Sequence, residues 1–477
     1  MKFDEGFTYD DVLLVPQRSF IDHRHEISLK TKLTRDIELQ LPFISANMDT
    51  VTESAMAIAL ATEGGIGIIH RFMTIEEQVQ EISKVKRTVG FILDAPYTIA
   101  PTDTLQNVYK KKIKTGIDCF IVTDEKHTVI GILSRRDYQF VTDNDTPVHK
   151  LMTTRSNLIV GNKKTNLAEA KKIFASKKIE KLPLVDKNDQ LVGLITAHSI
   201  QNFEKFPYST KDKFGRYRVG AAVGVVNDYL DRTKALLDAG TDVIVVDVAH
   251  GQNDVSIRAL KTIRRKYKNI QLIGGNVATP EGVQDLIATG VDAVKVGIGP
   301  GGLCTTRIVA GVGVPQLTAV MRASTAAKKA NIPVIADGGT NYPGDLTKAL
   351  AAGASAVMLA GWFAGTDESP GGIIMRKGMK YKVHRGSASF LATADRKIKL
   401  ENSSDQKLNS IVAEGVEALI PYKGKVTDVL YQLRGALQSG MSYCNAKSIK
   451  DLWKNARFIR ITDAGLRESK SHNVEEL

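Results

Sequence analysis

From Arg218 onward the chain alternates short apolar runs, rich in β-branched residues, with amphipathic stretches. The runs are RVGAAVG (218–224), DVIVVDV (242–248), IQLIGGNV (270–277), DAVKVGIG (292–299), PVIADGG (333–339) and SAVMLAG (355–361). Between them lie segments such as DYLDRTKALLDAG and TPEGVQDLIATG, which read as helices. Apolar runs buried on both faces and separated by helices imply a parallel α/β sheet. Two further runs, LPFISANMD (41–49) and GGIGIIH (64–70), bring the count to eight. Eight such units favour a closed barrel over an open sheet.

Between about Thr88 and Phe206 this alternation stops and a repeat takes over. IDCFIVTDEKHTVIGILSRRD (117–137) superposes on IEKLPLVDKNDQLVGLITAHS (179–199) at a constant offset of 62. Each copy reads as a strand, a turn led by aspartate, and an apolar strand through Gly131 or Gly193. Upstream, TDTLQNV and KTNLAEA open amphipathic helices at the same offset. One β-β-α copy of this size cannot bury its own apolar face, so the two are expected to pair. The repeat resembles a tandem pair of CBS modules, which implies binding of an ATP- or GTP-type nucleotide. Ser134, Arg135 and Asp137 stand where such modules hold ribose or phosphate, whereas the second copy has Thr196, His198 and Ser199. A spacer or oligomerisation insert without a ligand is the competing reading. The expected layout is a barrel from 1–87 and 206–477, with copies at about 88–145 and 146–205 between.

At 477 residues the chain exceeds the ~250 typical of one barrel, leaving room for this second domain. Its net charge of +13 is spread along the sequence, without a basic helix or zinc-finger spacing. A basic surface suited to phosphorylated ligands is therefore expected rather than nucleic-acid binding. No apolar run reaches membrane-spanning length, so no membrane role and a cytoplasmic setting are expected. Three scattered cysteines, Cys119, Cys304 and Cys444, are too few for a disulfide framework or a zinc site.

One of them sits in a telling place. VGIGPGGLCTTR (296–307) follows a strand-like run, and barrel active sites are built at strand C-termini. Gly297, Gly299, Gly301 and Gly302 free the backbone to aim carbonyls at a cation or amides at a phosphate. Cys304 then lies on a polar loop beside Thr305, Thr306 and Arg307, a setting that favours a nucleophilic thiolate; a structural cysteine is the alternative. Gly338-Gly339 closes the seventh run and Ala360-Gly361 the eighth, the usual phosphate site of such barrels. Asp337 is placed to accept from a ribose diol, although its spacing also suits a cap for the next helix.

Residues 1–87 and 206–477 resemble the IMP dehydrogenase/GMP reductase family throughout. The matching strings are FTYDDVLLVP, SANMDTVTE, GGIGIIH, GGNVAT, GIGPGGLCTTR, GVGVPQLTAV, IADGG and FIRITDAGLRES. The resemblance implies a (β/α)8 TIM barrel with an inserted tandem CBS-domain pair. It implies that Cys304 attacks C2 of GMP or IMP, giving a covalent adduct while hydride moves to or from NADPH or NAD. Thr306 and Glu414 would form a proton relay, with Arg396 on a mobile flap. Substrate contacts fall on Met48, Gly302, Asp337, Gly338, Gly339, Ala360, Gly361, His384, Gly386 and Ser387. Cofactor contacts fall on Asp247, Val248, Ala249, Asn276 and Gly297. A monovalent cation, K+, would sit on backbone carbonyls of Gly297, Gly299 and Cys304. A homotetramer or octamer is implied as well.

The family's two branches share the adduct and the hydride step. Water resolves the adduct in the dehydrogenase, whereas the reductase releases ammonia. Lys397 follows Arg396 where the dehydrogenase flap has a water-activating tyrosine. Asp247-Val248-Ala249, PQLTAVM, YPGD, HRF, HRGSAS and LQSGMSY also resemble the reductase. The long stretch from Gly386 to Glu414, the tail FIRITDAGLRES and the insert resemble the dehydrogenase. Gly302 in place of a phosphate-holding serine, His384 in place of a tyrosine, Ser387 in place of a methionine and Lys470 in place of a histidine depart from the pattern. Those departures fit neither branch, and the missing tyrosine at Lys397 decides for a GMP reductase using NADPH. An IMP dehydrogenase using NAD is the alternative, and a catalytically silent nucleotide-binding regulator a third.

Overall fold

The structure, a computed structural model, describes residues 3–88, 92–93, 96–401 and 412–471. The eight apolar runs form eight strands: β1 (Phe43–Ser45), β2 (Ile66–Ile69), β3 (Gly220–Val223), β4 (Val243–Val246), β5 (Gln271–Val277), β6 (Ala293–Val296), β7 (Val334–Asp337) and β8 (Ala356–Leu359). All neighbours pair in parallel, and β8 returns to β1 through Val357↔Phe43, Met358↔Ile44 and Leu359↔Ser45, closing the barrel. This is a (β/α)8 barrel.

The closure follows from the strands' composition. Ile44, Ile68, Val243, Val245, Ile273, Ala293, Ile335 and Met358 interlock in one buried cluster. Leu33, Ile37 and Leu39 join the same cluster. Outside the ring, helices bury one stripe each; Gln316–Lys328 buries Leu317, Val320, Ala323 and Ala327, at helical spacing. Because the strands are parallel, every C-terminal strand end and the loop after it emerge at one face.

Contacts divide the chain into two compact units. The barrel unit comprises Met1–Lys86, Tyr208–Asp212 and Tyr217–Leu477, and the second unit Arg87–Pro207 with Lys213–Arg216.

In the second unit, each copy of the repeat builds a four-stranded sheet. One sheet orders Thr153–Thr154, Val129–Leu133, Phe120–Thr123 and Thr98–Ile99; the other orders Gly161–Asn162, Lys181–Val185, Leu191–Thr196 and Ile92–Leu93. The edge strands are exchanged across the expected 145/146 division. Ile92–Leu93 lies in the first stretch yet pairs with the second copy's sheet, and Thr153–Thr154 lies in the second stretch yet pairs with the first. Gly131 and Gly193 explain where these edges dock. A Cβ at Gly131 would lie 2.5 Å from the Thr153 carbonyl oxygen, and one at Gly193 3.0 Å from Ile92 Cγ2. Cys119, Ile121, Val129, Ile132, Val185 and Leu194 form an apolar cluster shared by both copies.

Among the described residues, no helix is long and apolar enough to cross a membrane. Nor does any group of His, Cys, Asp and Glu side chains among them have the makings of a metal centre.

Candidate active site

The loop after β6 turns back over the barrel mouth and places Cys304 partly exposed. Two backbone conformations make the turn possible. Gly297 has φ 148°, and a side chain there would run into the Asp337 carbonyl. Gly299 has φ 81°, in the left-handed region. The Cys304 amide then donates to the Gly301 carbonyl at 2.9 Å.

Two distant segments clamp this loop. The Thr305 amide donates to the Glu414 carbonyl at 2.9 Å and the Val416 amide to the Leu303 carbonyl at 3.0 Å. The Gly386 amide donates in turn to the Val416 carbonyl at 3.0 Å. The clamp aligns three side chains. Cys304 Sγ lies 3.1 Å from Thr306 Oγ1, and that hydroxyl donates to Glu414 Oε2 at 2.8 Å. A thiol, a hydroxyl and a carboxylate in series can carry a proton to or from the thiol.

On the neighbouring strand, Asp337 ends β7. Its Oδ2 accepts from Lys295 Nζ at 2.5 Å and from Asn276 Nδ2 at 2.9 Å. The helix Pro343–Ala351 is capped instead by Asp345, whose Oδ2 accepts from the Tyr342 amide, so the capping alternative for Asp337 is corrected. Gly338 and Gly339 follow with φ 90° and 82°. Among the described residues, the amides of Gly302, Gly339, Gly361 and Trp362 have no acceptor. Unpaired amides at the ends of neighbouring strands make an anion cradle. Met48 and Ala360 pack at the edge of the barrel core beneath it.

His384 is buried and hydrogen-bonds through Nδ1 to Thr50 Oγ1 at 3.1 Å. Burial first, and the nearby Lys423 cation second, push its imidazole down to about 4. Ser387 is partly exposed after Gly386. Arg396 is half-buried on the helix Phe390–Glu401; the side chain of Lys397 and residues 402–411 lie outside the described residues.

After β2 and β4, Arg71 Nε donates to Asp247 Oδ2 at 3.3 Å. The Asn276 amide donates to the Val248 carbonyl at 3.1 Å, and Ala249 is exposed. Asn276 Nδ2 also donates to the Gly297 carbonyl at 2.8 Å, whereas its Oδ1 is buried and unpartnered. In the second unit, Asp137 Oδ2 accepts from both the amide and the hydroxyl of Ser134 at 2.7 Å, capping the short helix Arg135–Tyr138. Thr196 and Ser199 form the matching box in the second copy.

Sequence reasoning missed Lys295 and Gln316. Lys295 is 4% exposed inside an otherwise apolar strand, and a charge in such a run is itself a signal of a buried partner. Gln316 Nε2 donates to the Val296 and Asp337 carbonyls at 2.9 and 3.1 Å, tying β6 to β7. Nothing local in PQLT announces that role.

The chain's likeness to known proteins runs its full length. Residues 6–472 match the family described as the IMP dehydrogenase / GMP reductase domain. Inosine-5'-monophosphate dehydrogenase of Aquifex aeolicus is 50% identical over 476 residues, covering 99% of this chain and 96% of the relative. GMP reductase of Leishmania donovani is 43% identical over 482 residues, covering 99% and 98%. Most relatives of similar identity carry the dehydrogenase name, which favours that branch over the reductase to which the motifs lean. Among solved structures, a cysteine-to-alanine variant of Trypanosoma brucei GMP reductase with guanosine 5'-monophosphate superposes with a TM-score of 0.91, at 40% identity and 99% coverage of both chains. With a closed (β/α)8 barrel and a match of this extent, the chain belongs to the IMP dehydrogenase/GMP reductase family of NAD(P)-dependent oxidoreductases.

Proposed function

We propose that this enzyme reduces GMP to IMP and ammonia with NADPH, through a covalent bond between Cys304 and purine C2. The observation that carries the reductive direction is Lys397. Resolving an adduct with water needs a group to activate that water, and the dehydrogenase flap uses a tyrosine beside its arginine. Lysine supplies charge but no phenol. Whole-chain identity averages over hundreds of scaffold positions, whereas the direction of reaction rests on a few site residues.

In this reading the Cys304 thiolate adds to C2 of GMP. Glu414, acting through Thr306, delivers a proton to the departing 2-amino group, and ammonia leaves. The nicotinamide, when bound, supplies the hydride that C2 needs before the thiolate departs and frees IMP. Asn276 Oδ1, a buried acceptor without a partner, suits the N–H of a carboxamide, and Asp247 stands at the neighbouring strand end. Asp337 Oδ1 is left for the ribose diol, and the unpaired amides suit a 5'-phosphate. A monovalent cation on Gly297, Gly299 and Cys304 would share the Gly297 carbonyl with Asn276. The insert is read as a CBS pair sensing an ATP- or GTP-type nucleotide; a second Trypanosoma brucei GMP reductase structure, TM-score 0.79, holds guanosine 5'-triphosphate. Assembly as a tetramer or octamer belongs to the same reading.

The second reading, IMP oxidation with NAD, is favoured by the names of most relatives. Steady-state kinetics in both directions separates the two. GMP should consume reduced nicotinamide with kcat/KM above that of IMP oxidation, and Lys397→Tyr should raise IMP oxidation modestly. Wild-type IMP oxidation about tenfold more efficient than GMP reduction would establish the dehydrogenase instead.

A further inference from the structure

The loop from Gly361 to Asp367 is zipped to the segment from Pro421 to Gly424. The Lys423 amide donates to the Gly365 carbonyl and the Asp367 amide to the Gly424 carbonyl, each at 2.8 Å. Thr366 and Gly424 pair as a parallel bridge, and a side chain at Gly365 would collide with the Pro421 carbonyl. This seam fixes where Lys423 can reach. Its Nζ donates to the Gly361 carbonyl at 2.6 Å and to the Trp362 carbonyl at 3.3 Å, 5.8 Å from the Trp362 ring centre.

Among the described residues no carboxylate pairs with this ammonium, and burial holds it below the ordinary lysine range. A half-buried cation held only by neutral carbonyls is under-compensated. The neighbouring cations differ. Arg385 is paired with both Asp49 and Asp395, and Lys382 has Asp367 and Glu368 nearby. His384, at about 4, is neutral near pH 7. Within a peptide unit the carbonyl and the next amide point opposite ways, so holding the Gly361 carbonyl on Lys423 turns the Trp362 amide outward. That amide and the Gly361 amide are two of those without an acceptor.

We propose that Lys423 is the positioning residue and counter-charge for the substrate's 5'-phosphate, holding the loop carbonyls so that the Gly361 and Trp362 amides face the dianion. The assignment rests on the reading that the phosphate docks at Gly361. Calorimetric titration of GMP, guanosine, IMP and inosine against wild type, Lys423→Met and Lys423→Gln tests it. The preference for nucleotide over nucleoside should fall at least about tenfold in both variants, with nucleoside affinity held within about twofold. Glutamine keeps a donor for the carbonyls, so its loss isolates the charge, and it alone decides if the methionine variant does not fold. A preference retained in Lys423→Gln, or parallel loss of nucleoside and nucleotide affinity, overturns the assignment. GMP and IMP carry the same phosphate, so an enzyme that proves to oxidise IMP leaves the expected result unchanged.

Discussion

A thiol 3.1 Å from a hydroxyl that itself donates to a carboxylate at 2.8 Å has few purposes other than moving protons at the thiol. Cys304→Ala removes the proposed nucleophile and leaves the unpaired amides and Asp337 in place. Turnover should vanish while GMP affinity changes by less than about threefold, measured by titration calorimetry; retention of a tenth of wild-type turnover would sink the assignment. His384 gives a pH-dependent prediction. Its imidazole sits at about 4 when folded, below the ordinary value of 6.5, so the unfolded chain takes up a proton first as pH falls. Stability is therefore complete above about pH 6.5 and drains away towards about 4. The melting temperature should drop more steeply from pH 7 to pH 5 in wild type than in His384→Gln, and parallel slopes would show that this histidine is not the cause. That Cys304, Thr306 and Asp337 lie at strand ends and on the loops after them could be read from the sequence, because they stand in short strings with strand and turn signals on either side. Lys295, Gln316 and Lys423 could not be read in this way, since each takes its meaning from a partner about 20 to 60 residues away.

At the scale of elements, all eight barrel strands could be read from the sequence because each is built on a short, largely apolar run. Their bounds shrank to three to seven residues, as the flanking glycines and prolines turned out to be loop. The exchanged edge strands in the second unit could not be read. Ile92–Leu93 and Thr153–Thr154 are two residues long, too short to carry any periodicity. Their only trace is the glycine facing each. Gly131→Val should thus push Thr153–Thr154 off its sheet and destabilise the second unit by roughly 1–3 kcal/mol, as for other overpacked sites. Hydrogen exchange that speeds up at Ile132 and Thr154 would confirm it; unchanged exchange there would count against the docking account.

For the whole chain, the points where the barrel sequence breaks off and resumes are pinned by the barrel's own contacts. Lys86 Nζ bonds Asp242 at 2.6 Å and Asp212 at 3.3 Å, and the Thr210 amide donates to the Ala61 carbonyl at 2.8 Å. Deleting residues 88–205 and closing the gap with a short glycine-serine linker joins two ends that are already neighbours. The shortened enzyme should keep its turnover and lose any response to ATP or GTP; a full-length enzyme indifferent to both nucleotides would refute the sensor. Cutting the insert in half is another matter. Each of its sheets is finished by a strand that the other copy's stretch of sequence supplies. A lone copy would carry a raw β edge and one strand with no sheet to join, and would find its complement only in a second molecule. The two copies thus hold within one polypeptide a partnership that a single copy could make only as a strand-swapped dimer.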